Sequence, residues 1–380
     1  MSKKRIKSFN KPIYVSQPFL PELENVYKKI REIWRSRRLT NFGPQHKELE
    51  KKLTKFLKVT NVSLFSNGTM ALELACRALN LFGEIITTPF TFPATVHTLY
   101  WNNIKPIFCD IEKDTFNLDS NKIEPLITSK TTAIMPVHVF GNPCDVEKIK
   151  NIANKYRLKV IYDAAHAFGV KINGIPIGNF GDISMFSFHA TKIFHSIEGG
   201  CLTFKNKELK KKLDFLKNFG IENEEKIIIP GINAKMNEIQ AAIGLLNLEY
   251  VEEEIRRRKV LTNLYRNRLS RIHGITTTKD MPGVKHNYSY FPILIDKDKY
   301  GLSRDDVYNG LKKLNVFARK YFFPLCSHFR WYKLLPSSNP RNLSLAEKTA
   351  KNVLCLPLHG TLKKEEVEKI CDILENLKIF

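Results

Sequence analysis

The sequence predicts an α/β protein organised around a mostly parallel β-sheet. Apolar runs typical of strands alternate with helical segments between residues 62 and 162, and turns rich in glycine, proline or small polar residues separate them. Parallel strands joined in this way need helices on both faces of the sheet. Because ligands of such sheets bind beyond the carboxyl ends of the strands, we expect functional side chains there.

Two helices are predicted ahead of the sheet. Residues 1–20 contain Pro12 and Pro18 and predict an arm without regular structure. Residues 22–37 predict the first helix, and the sequence LTNFGP at residues 39–44 is typical of a turn. Residues 45–57 predict a second, amphipathic helix.

The first strand of the sheet ends in a turn suited to phosphate. Strands are predicted at residues 62–65, 84–88, 104–110, 133–137 and 158–162. Ser66-Asn67-Gly68-Thr69 leads into a helix over residues 70–79. Free backbone N–H groups at such a helix start bind phosphate, although the turn alone also fits an ordinary helix cap.

Two later segments also lie at strand ends. Phe90 and Phe92 stand between prolines, where a ring can lie flat on a planar ligand; the alternative is that both belong to the core. Asp163 directly follows a strand, and His166 lies three residues further on. A buried carboxylate needs a positive partner, which a protonated pyridine nitrogen provides. Alternatively, Asp163 caps a turn and His166 is a core histidine.

The segment DISMFSFHATKIFHSIEGG, residues 182–200, begins as a strand and then turns polar. Lys192 lies between hydroxyl side chains and Gly199-Gly200. A lysine amine forms a Schiff base with a carbonyl once burial or a nearby charge lowers its pKa. Ser187 is placed to hold a phosphate. Pyridoxal 5′-phosphate (PLP) needs both functions; the alternative is a solvated loop lysine.

The charge pattern changes near residue 245. Residues 245–272 predict one long helix whose charged face is solvated. A smaller α+β region follows, with a strand at residues 290–295 and helices at residues 304–314 and 361–377. We therefore divide the chain into an arm (1–20), a large cofactor domain (21–245) and a small C-terminal domain (246–380).

Composition limits the class of protein. The 380 residues carry a net charge of +23, but the lysines are dispersed and no nucleic-acid motif is visible. An acidic small substrate explains the charge better than nucleic acid does, and a non-enzymatic regulator is kept as an alternative. Seven cysteines without a CxxC pair predict reduced thiols in a cytoplasmic protein and no metal site. No apolar run is long enough to predict a membrane span.

Several motifs in fixed order resemble the DegT/DnrJ/EryC1/StrS family of sugar aminotransferases. They are LTNFGP, SNGTMALELA, VHVFGNPCD, DAAHAFG, SFHATKIFHSIEGG and GINAKMNEIQAAIGL. The resemblance implies the aspartate-aminotransferase-like fold (PLP fold type I), with a seven-stranded sheet and a smaller α+β domain. Within the family, the chain resembles the members that make dTDP-4-amino-4,6-dideoxyglucose, which share the SFHATK-type segment, the EGG ending and the GIN-K-MNE segment.

The resemblance also implies roles for individual residues. Lys192 holds PLP and shuttles the proton, and Asp163 pairs with the pyridine nitrogen. The remaining implied cofactor contacts are His166 near the ring hydroxyl, Phe92 on the ring face, and Gly68, Thr69, Ser187 and the neighbouring subunit's Asn233 at the phosphate. The implied substrate contacts are Thr40, Asn41, His189 and Arg319.

The implied activity is transfer of an amino group from L-glutamate to a nucleotide-linked keto-6-deoxy sugar, with 2-oxoglutarate as co-product, in a homodimer with shared sites. The implied setting is O-antigen or other surface-glycan biosynthesis. A 3-keto-sugar aminotransferase of the same family is an alternative, whereas the family's dehydratases have His in place of the lysine. Two departures, Ile197 for the usual Gly and Lys235 for the usual Arg, bear on substrate choice.

Overall fold

The computed structural model describes residues 7–377. Twelve α-helices occur in this range. They are α1 (Leu23–Ser36), α2 (Pro44–Leu57), α3 (Gly68–Ala78), α4 (Pro93–Trp101), α5 (Val146–Tyr156), α6 (Lys207–Leu216), α7 (Glu238–Leu248), α8 (Val251–Leu269), α9 (Lys297–Tyr300), α10 (Arg304–Lys313), α11 (Ser344–Asn352) and α12 (Lys364–Asn376).

Seventeen strands lie between these helices in the described part of the chain. They are β1 (Ile13–Tyr14), β2 (Asn61–Phe65), β3 (Glu84–Thr87), β4 (Lys105–Phe108), β5 (Thr131–Met135), β6 (Lys159–Asp163), β7 (Lys171–Ile172), β8 (Ile175–Pro176), β9 (Ile183–Ser187), β10 (Gly200–Phe204), β11 (Ile221–Asn223), β12 (Lys226–Ile227), β13 (Ile275–Thr277), β14 (Val284–Lys285), β15 (Phe291–Ile295), β16 (Val316–Phe317) and β17 (Val353–Leu356).

The main sheet has seven strands in the order β2-β10-β9-β6-β5-β3-β4. Only β10 runs antiparallel to its neighbours, so the predicted mostly parallel α/β sheet is confirmed. Helices cover both faces of the sheet. Successive residues of a strand point to opposite faces, so one strand packs against helices on both sides. In β9, Ile183 and Met185 pack with the apolar residues of α3 and α6. Phe186 packs on the other face with those of α2 and α7.

The C-terminal part is built on a three-stranded antiparallel sheet, β13-β15-β17, against which α8 and α12 pack. The prediction of a single helix over residues 245–272 is wrong, because the helical structure is interrupted between α7 and α8. Its charged face is not fully solvated either. Arg258 Nε lies 2.6 Å from Glu254 Oε1, and both side chains are buried. The boundary at residue 245 between two domains stays a prediction.

The N-terminal segment is not wholly irregular, contrary to prediction. β1 pairs in parallel with β16, so the described part of the arm joins the C-terminal region through Ile13 and Tyr14. Its first six residues lie outside the described range. The seven cysteines are all buried and unpaired by disulfides. Within residues 7–377 no helix is both long and apolar enough to cross a bilayer.

Candidate active site

A cavity of about 300 Å³ opens at the carboxyl ends of β6 and β9. The starts of α3 and α4 border one side of the cavity, and side chains from the C-terminal part border the other. This is the location expected for a ligand of a parallel sheet. The predicted residues around this cavity are Gly68, Thr69, Phe92, Asp163, His166, Ser187, His189, Lys192 and Arg319.

Asp163 is the last residue of β6, and its side chain is buried beneath the cavity. Its Oδ1 accepts a hydrogen bond of 3.0 Å from the Ala165 N–H, and its Oδ2 accepts one of 2.7 Å from the Thr95 hydroxyl. Burial raises the pKa of this carboxyl, although both hydrogen bonds and Lys192 oppose the rise. No described residue forms an ion pair with Asp163, so the carboxylate is prepared to receive a cation.

Lys192 reaches the same cavity from the loop that follows β9. Its Nζ lies 3.4 Å from the Tyr290 hydroxyl. Burial lowers the pKa of this amine to about 8, against the opposing influence of Asp163 and Tyr321. About a tenth of the amine is therefore neutral at pH 7, compared with a trace for an ordinary lysine. A neutral amine is the form that attacks a carbonyl.

The phosphate turn packs directly on Gly200, the second residue of the glycine pair. Asn67 caps α3 by accepting a 2.9 Å hydrogen bond from the Met70 N–H. The turn is thus a helix cap, and it also borders the cavity through Gly68 and Thr69 beside Ser187. A Cβ on Gly200 would lie 2.8 Å from the Gly68 Cα, which is too close for any other residue. Gly200 therefore lets β10 run next to the phosphate turn.

His166 is buried in an aromatic stack beside the amine. Its ring lies parallel to that of Phe322 at 5.8 Å and edge-on to that of Tyr290 at 4.9 Å. Its Nδ1 accepts a hydrogen bond of 3.2 Å from the Phe140 N–H. Burial holds the pKa of this imidazole well below its usual value, so the ring is neutral with its proton on Nε2. His166 thus offers an N–H donor.

The two phenylalanines of the proline-bounded loop differ. Phe90 is fully buried, whereas the Phe92 side chain is 55% exposed at the start of α4 and borders the cavity. The alternative that both belong to the core is wrong for Phe92. An exposed ring at the edge of a cavity is available to cover a planar ligand.

His189 and Arg319 lie at the mouth of the cavity. The His189 ring is held by Thr191 Oγ1, 2.8 Å from its Nδ1, and by Glu198, 3.5 Å from its Nε2. Arg319 stacks its guanidinium over the Tyr321 ring at 5.4 Å, and no described carboxylate pairs with it. The exposed arginine is therefore free to meet an anion from solvent.

Three predicted site residues lie elsewhere. Thr40 and Asn41 are exposed in the turn before α2, and Asn233 is exposed before α7. Among the described residues around the cavity, none of the three occurs. The exposed position of Asn233 leaves its side chain available to a neighbouring subunit.

Sequence reasoning missed four residues that the fold brings to the site. They are Thr95, Tyr290, Tyr321 and Phe322. Thr95 lies one helical turn after the Phe92 loop, and the polar residue at that spacing was an available signal. The other three come from the C-terminal region, more than 95 residues beyond Lys192, where no local pattern indicates their approach.

The residues present fit PLP. The cavity has a buried carboxylate that lacks a cation, an amine of lowered pKa, and a glycine-bearing helix start beside a serine hydroxyl. These donors match, in turn, the ring nitrogen, the aldehyde and the phosphate of that cofactor.

Comparison with known proteins agrees with this chemistry. Residues 22–375 match the model of the DegT/DnrJ/EryC1/StrS aminotransferase family. The chain is 47% identical over 368 residues to a dTDP-4-amino-4,6-dideoxy-D-glucose transaminase of Shigella dysenteriae, covering 97% of this chain and 100% of the relative. A transaminase of the same name from Escherichia coli is also 47% identical, covering 96% and 98%.

Solved structures give the same result. The structure of DesI, determined in the presence of its TDP-sugar product, superposes with a TM-score of 0.93 at 32% identity, covering 97% of this chain and 93% of that one. A putative sugar aminotransferase of Streptococcus pneumoniae in its PMP form gives 0.90 at 26% identity, covering 97% and 98%. The predicted fold type I architecture and the PLP cofactor are therefore confirmed. The chain is an enzyme that belongs to the DegT/DnrJ/EryC1/StrS aminotransferase family.

Proposed function

We propose that this enzyme transfers the amino group of L-glutamate to C4 of dTDP-4-keto-6-deoxyglucose, giving dTDP-4-amino-4,6-dideoxyglucose and 2-oxoglutarate. The carrying observation is one cavity that holds both the Lys192 amine and the buried Asp163 carboxylate. Near-complete coverage of two relatives named for this product, at 47% identity, supports the choice of sugar.

Lys192 and Asp163 have different roles in the proposed reaction. When bound, PLP supplies the electron sink that stabilises negative charge at the carbon losing its proton. Asp163 keeps the ring nitrogen protonated, because the protonated nitrogen neutralises the buried negative charge of the Asp163 carboxylate. Lys192 Nζ anchors the cofactor, then takes the proton from the amino donor carbon and later delivers one to the sugar C4.

The other cavity residues bind and orient. Backbone N–H groups of Gly68 and Thr69, with the Ser187 hydroxyl, hold the phosphate at the start of α3. Phe92 covers one face of the ring. His166, neutral with its proton on Nε2, donates a hydrogen bond to the ring hydroxyl.

Arg319 forms the anion-binding side of the site, and His189 lies near it. Both lie at the cavity mouth, where a nucleotide diphosphate would carry its charge. The net charge of +23 adds a general attraction for such a substrate. Arg319 holds the diphosphate, and His189 contacts the sugar side.

We also propose a homodimer with shared sites. Exposed apolar side chains surround Asn233 and the turn at residues 39–44, and a partner would cover them. They are Trp34, Leu39, Phe219, Ile232 and Ile239. Asn233 reaches the phosphate of the partner's cofactor in this arrangement. The seven unpaired cysteines fit a cytoplasmic enzyme, and an amino sugar of this type serves surface-glycan synthesis such as O-antigen.

A substrate panel tests the proposal. The purified PLP enzyme is assayed for 2-oxoglutarate release from L-glutamate with dTDP-, UDP- and GDP-linked 4-keto and 3-keto sugars. The 4-keto-6-deoxy dTDP sugar should give the highest kcat/KM, and NMR of the product should show nitrogen at C4. Preference for a 3-keto sugar would establish the alternative family activity, and no turnover with any sugar would overturn the proposal.

A further inference from the structure

Glu238 joins two surface segments that the family resemblance links to the active site but that lie outside this chain's own cavity. We name them the sugar-side turn (residues 39–44, with Thr40 and Asn41) and the phosphate-side segment (residues 231–237, with Asn233). Glu238 directly follows the second segment and begins α7. Its side chain is only 1% exposed.

Both oxygens of the Glu238 carboxylate hold the residues that follow the sugar-side turn. Oε2 accepts a hydrogen bond of 2.8 Å from the Gln45 N–H, and Oε1 accepts one of 2.9 Å from the His46 N–H. These are free N–H groups in the first turn of α2, where a negative charge is favourable. The Glu238 N–H itself donates to the Leu39 carbonyl at 3.0 Å, so one residue holds both ends of the turn.

The sugar-side turn depends on that support. Phe42 has a φ of 58°, which a bulky residue adopts only when its surroundings fix it, and Asn41 beside it has a φ of 60°. Gly43 lies against the carboxylate, because a Cβ there would be 2.5 Å from Glu238 Cδ. The glycine of LTNFGP therefore makes room for the buried carboxylate.

The phosphate-side segment is tied to a rigid part of the fold next to Glu238. The Ala234 carbonyl accepts a 2.8 Å hydrogen bond from the Ser66 N–H, beside the phosphate turn of this chain. Gln240 Nε2 donates to the Ser66 carbonyl at 3.2 Å. Hydrogen bonds thus attach both segments to the same part of the fold, around Glu238 and Ser66. Their predicted ligand-binding side chains are nevertheless exposed.

We infer that Glu238 is a positioning residue that acts in trans: it holds the sugar-side turn of one chain, beside the phosphate-side segment, in the geometry that completes the partner's cavity. The inference rests on the shared sites of the proposed function. In this arrangement Thr40 and Asn41 offer hydroxyl and amide groups to the hydroxyls of the partner's sugar substrate. The simpler alternative is that Glu238 only caps α2 and stabilises the fold.

The variant Glu238→Gln tests the positioning role. One carboxylate oxygen becomes an amide NH2, which cannot accept from a backbone N–H. We expect KM for the nucleotide sugar to rise about tenfold, since a backbone donor is left unpaired. KM for L-glutamate and the borohydride-sensitive visible absorbance should not change. Gly43→Ala, which displaces the same carboxylate, should raise KM for the nucleotide sugar in the same way. Glu238→Asp keeps a carboxylate and should therefore raise KM less than Glu238→Gln does.

Glu249→Gln, an exposed position at the end of the same helix, is the matched control and should leave KM unchanged. A merely structural Glu238 would lower the melting temperature and the concentration of active sites without raising KM for the sugar. That result would overturn the positioning role.

Mixed dimers of differently tagged chains test action in trans. A Glu238→Gln chain paired with a Lys192→Ala chain has one working lysine, and that site takes its sugar-side turn from the chain with intact Glu238. Its KM should equal that of the wild type. A chain carrying both substitutions, paired with a wild-type chain, should keep the raised KM at its single working site.

The reversed pattern would place Glu238 in its own chain's site and overturn the inference. Wild-type turnover of the sugar is the reference in every assay. Failure of the proposed function would remove turnover from the wild type itself, so it is distinguished from failure of the inference.

Discussion

The cavity side of the active site and the outward-facing segments are built in opposite ways. Asp163 is buried, and Lys192 shares its cavity within a single chain. Thr40, Asn41 and Asn233 are exposed and lie outside that cavity. In the dimer that we propose, each chain carries its own reaction chemistry, whereas part of the sugar binding and part of the phosphate contact depend on the second copy. Variants of the first group should stop the reaction, and variants of the second group should weaken binding.

The largest effect is expected from Lys192→Ala. Removing the amine removes both the anchor for PLP and the group that moves the proton, so kcat should fall by about 10³-fold or more. The borohydride-sensitive visible absorbance of the purified protein should disappear as well. Lys207→Ala, at an exposed lysine in the first turn of α6, is the control. Retained turnover in Lys192→Ala would refute the assignment of this lysine.

Asp163→Asn should have the next largest effect. A neutral amide no longer favours a protonated ring nitrogen, and loss of a buried charge partner of this kind costs enough to lower kcat about 10²-fold. PLP should remain attached through Lys192, so the visible absorbance should persist with a changed maximum. Asp182→Asn, at a partly exposed carboxylate paired with Lys159, should stay near wild-type activity. Activity of Asp163→Asn within twofold of the wild type would contradict the proposed role.

The cavity side was largely predictable from the sequence because its residues occur at strand ends. Asp163 and Ser187 are the last residues of β6 and β9, and a parallel sheet brings such ends together. Gly68 and Gly200 could also be recognised from the sequence, because positions where two backbones approach closely require glycine. Local pattern was sufficient where each residue's position followed from its own strand or turn.

The remaining parts depend on long-range packing. Tyr290 and Phe322 arrive from the C-terminal region, and no periodicity within their segments predicts this contact. The break between α7 and α8 was missed because the two residues that separate the helices, Glu249 and Tyr250, are neither glycine nor proline. Ile197 shows the reverse case: its φ of 69° is a conformation that favours glycine, yet a β-branched residue stands there. Sequence pattern alone predicts an ordinary backbone at such a position.

Asn233→Ala should have a moderate effect confined to cofactor affinity. Loss of one hydrogen bond to the phosphate should weaken PLP binding about fivefold to tenfold, while kcat at saturating PLP stays close to wild type. Titration of the apoprotein with PLP, followed by visible absorbance, measures the change. Asn151→Ala, on the exposed face of α5, is the control. In a mixed dimer with a Lys192→Ala chain, the Asn233→Ala chain should regain wild-type affinity at its lysine; persistent weak binding would place Asn233 in its own chain's site.

The smallest effect is expected from Tyr290→Phe, which keeps the ring beside His166 and removes only the hydroxyl 3.4 Å from Lys192 Nζ. That hydroxyl favours the ammonium form, because hydrogen bonds to charged groups are the stronger ones. Its loss should therefore lower the pKa of Lys192 further below the value of about 8 set by burial.

The rate of PLP uptake by the apoprotein follows the neutral amine. In the wild type it should rise with pH, reach half of its maximum near pH 8 and level off above that. In Tyr290→Phe the plateau should begin at lower pH, and kcat should fall only about threefold, since a displaced amine loses one polar partner. Tyr288→Phe, whose hydroxyl meets Asp280 away from the cavity, should leave the uptake profile unchanged. A Tyr290→Phe plateau at the wild-type pH would show that the Tyr290 hydroxyl does not contribute to the basicity of Lys192, which burial, Asp163 and Tyr321 would then set without it.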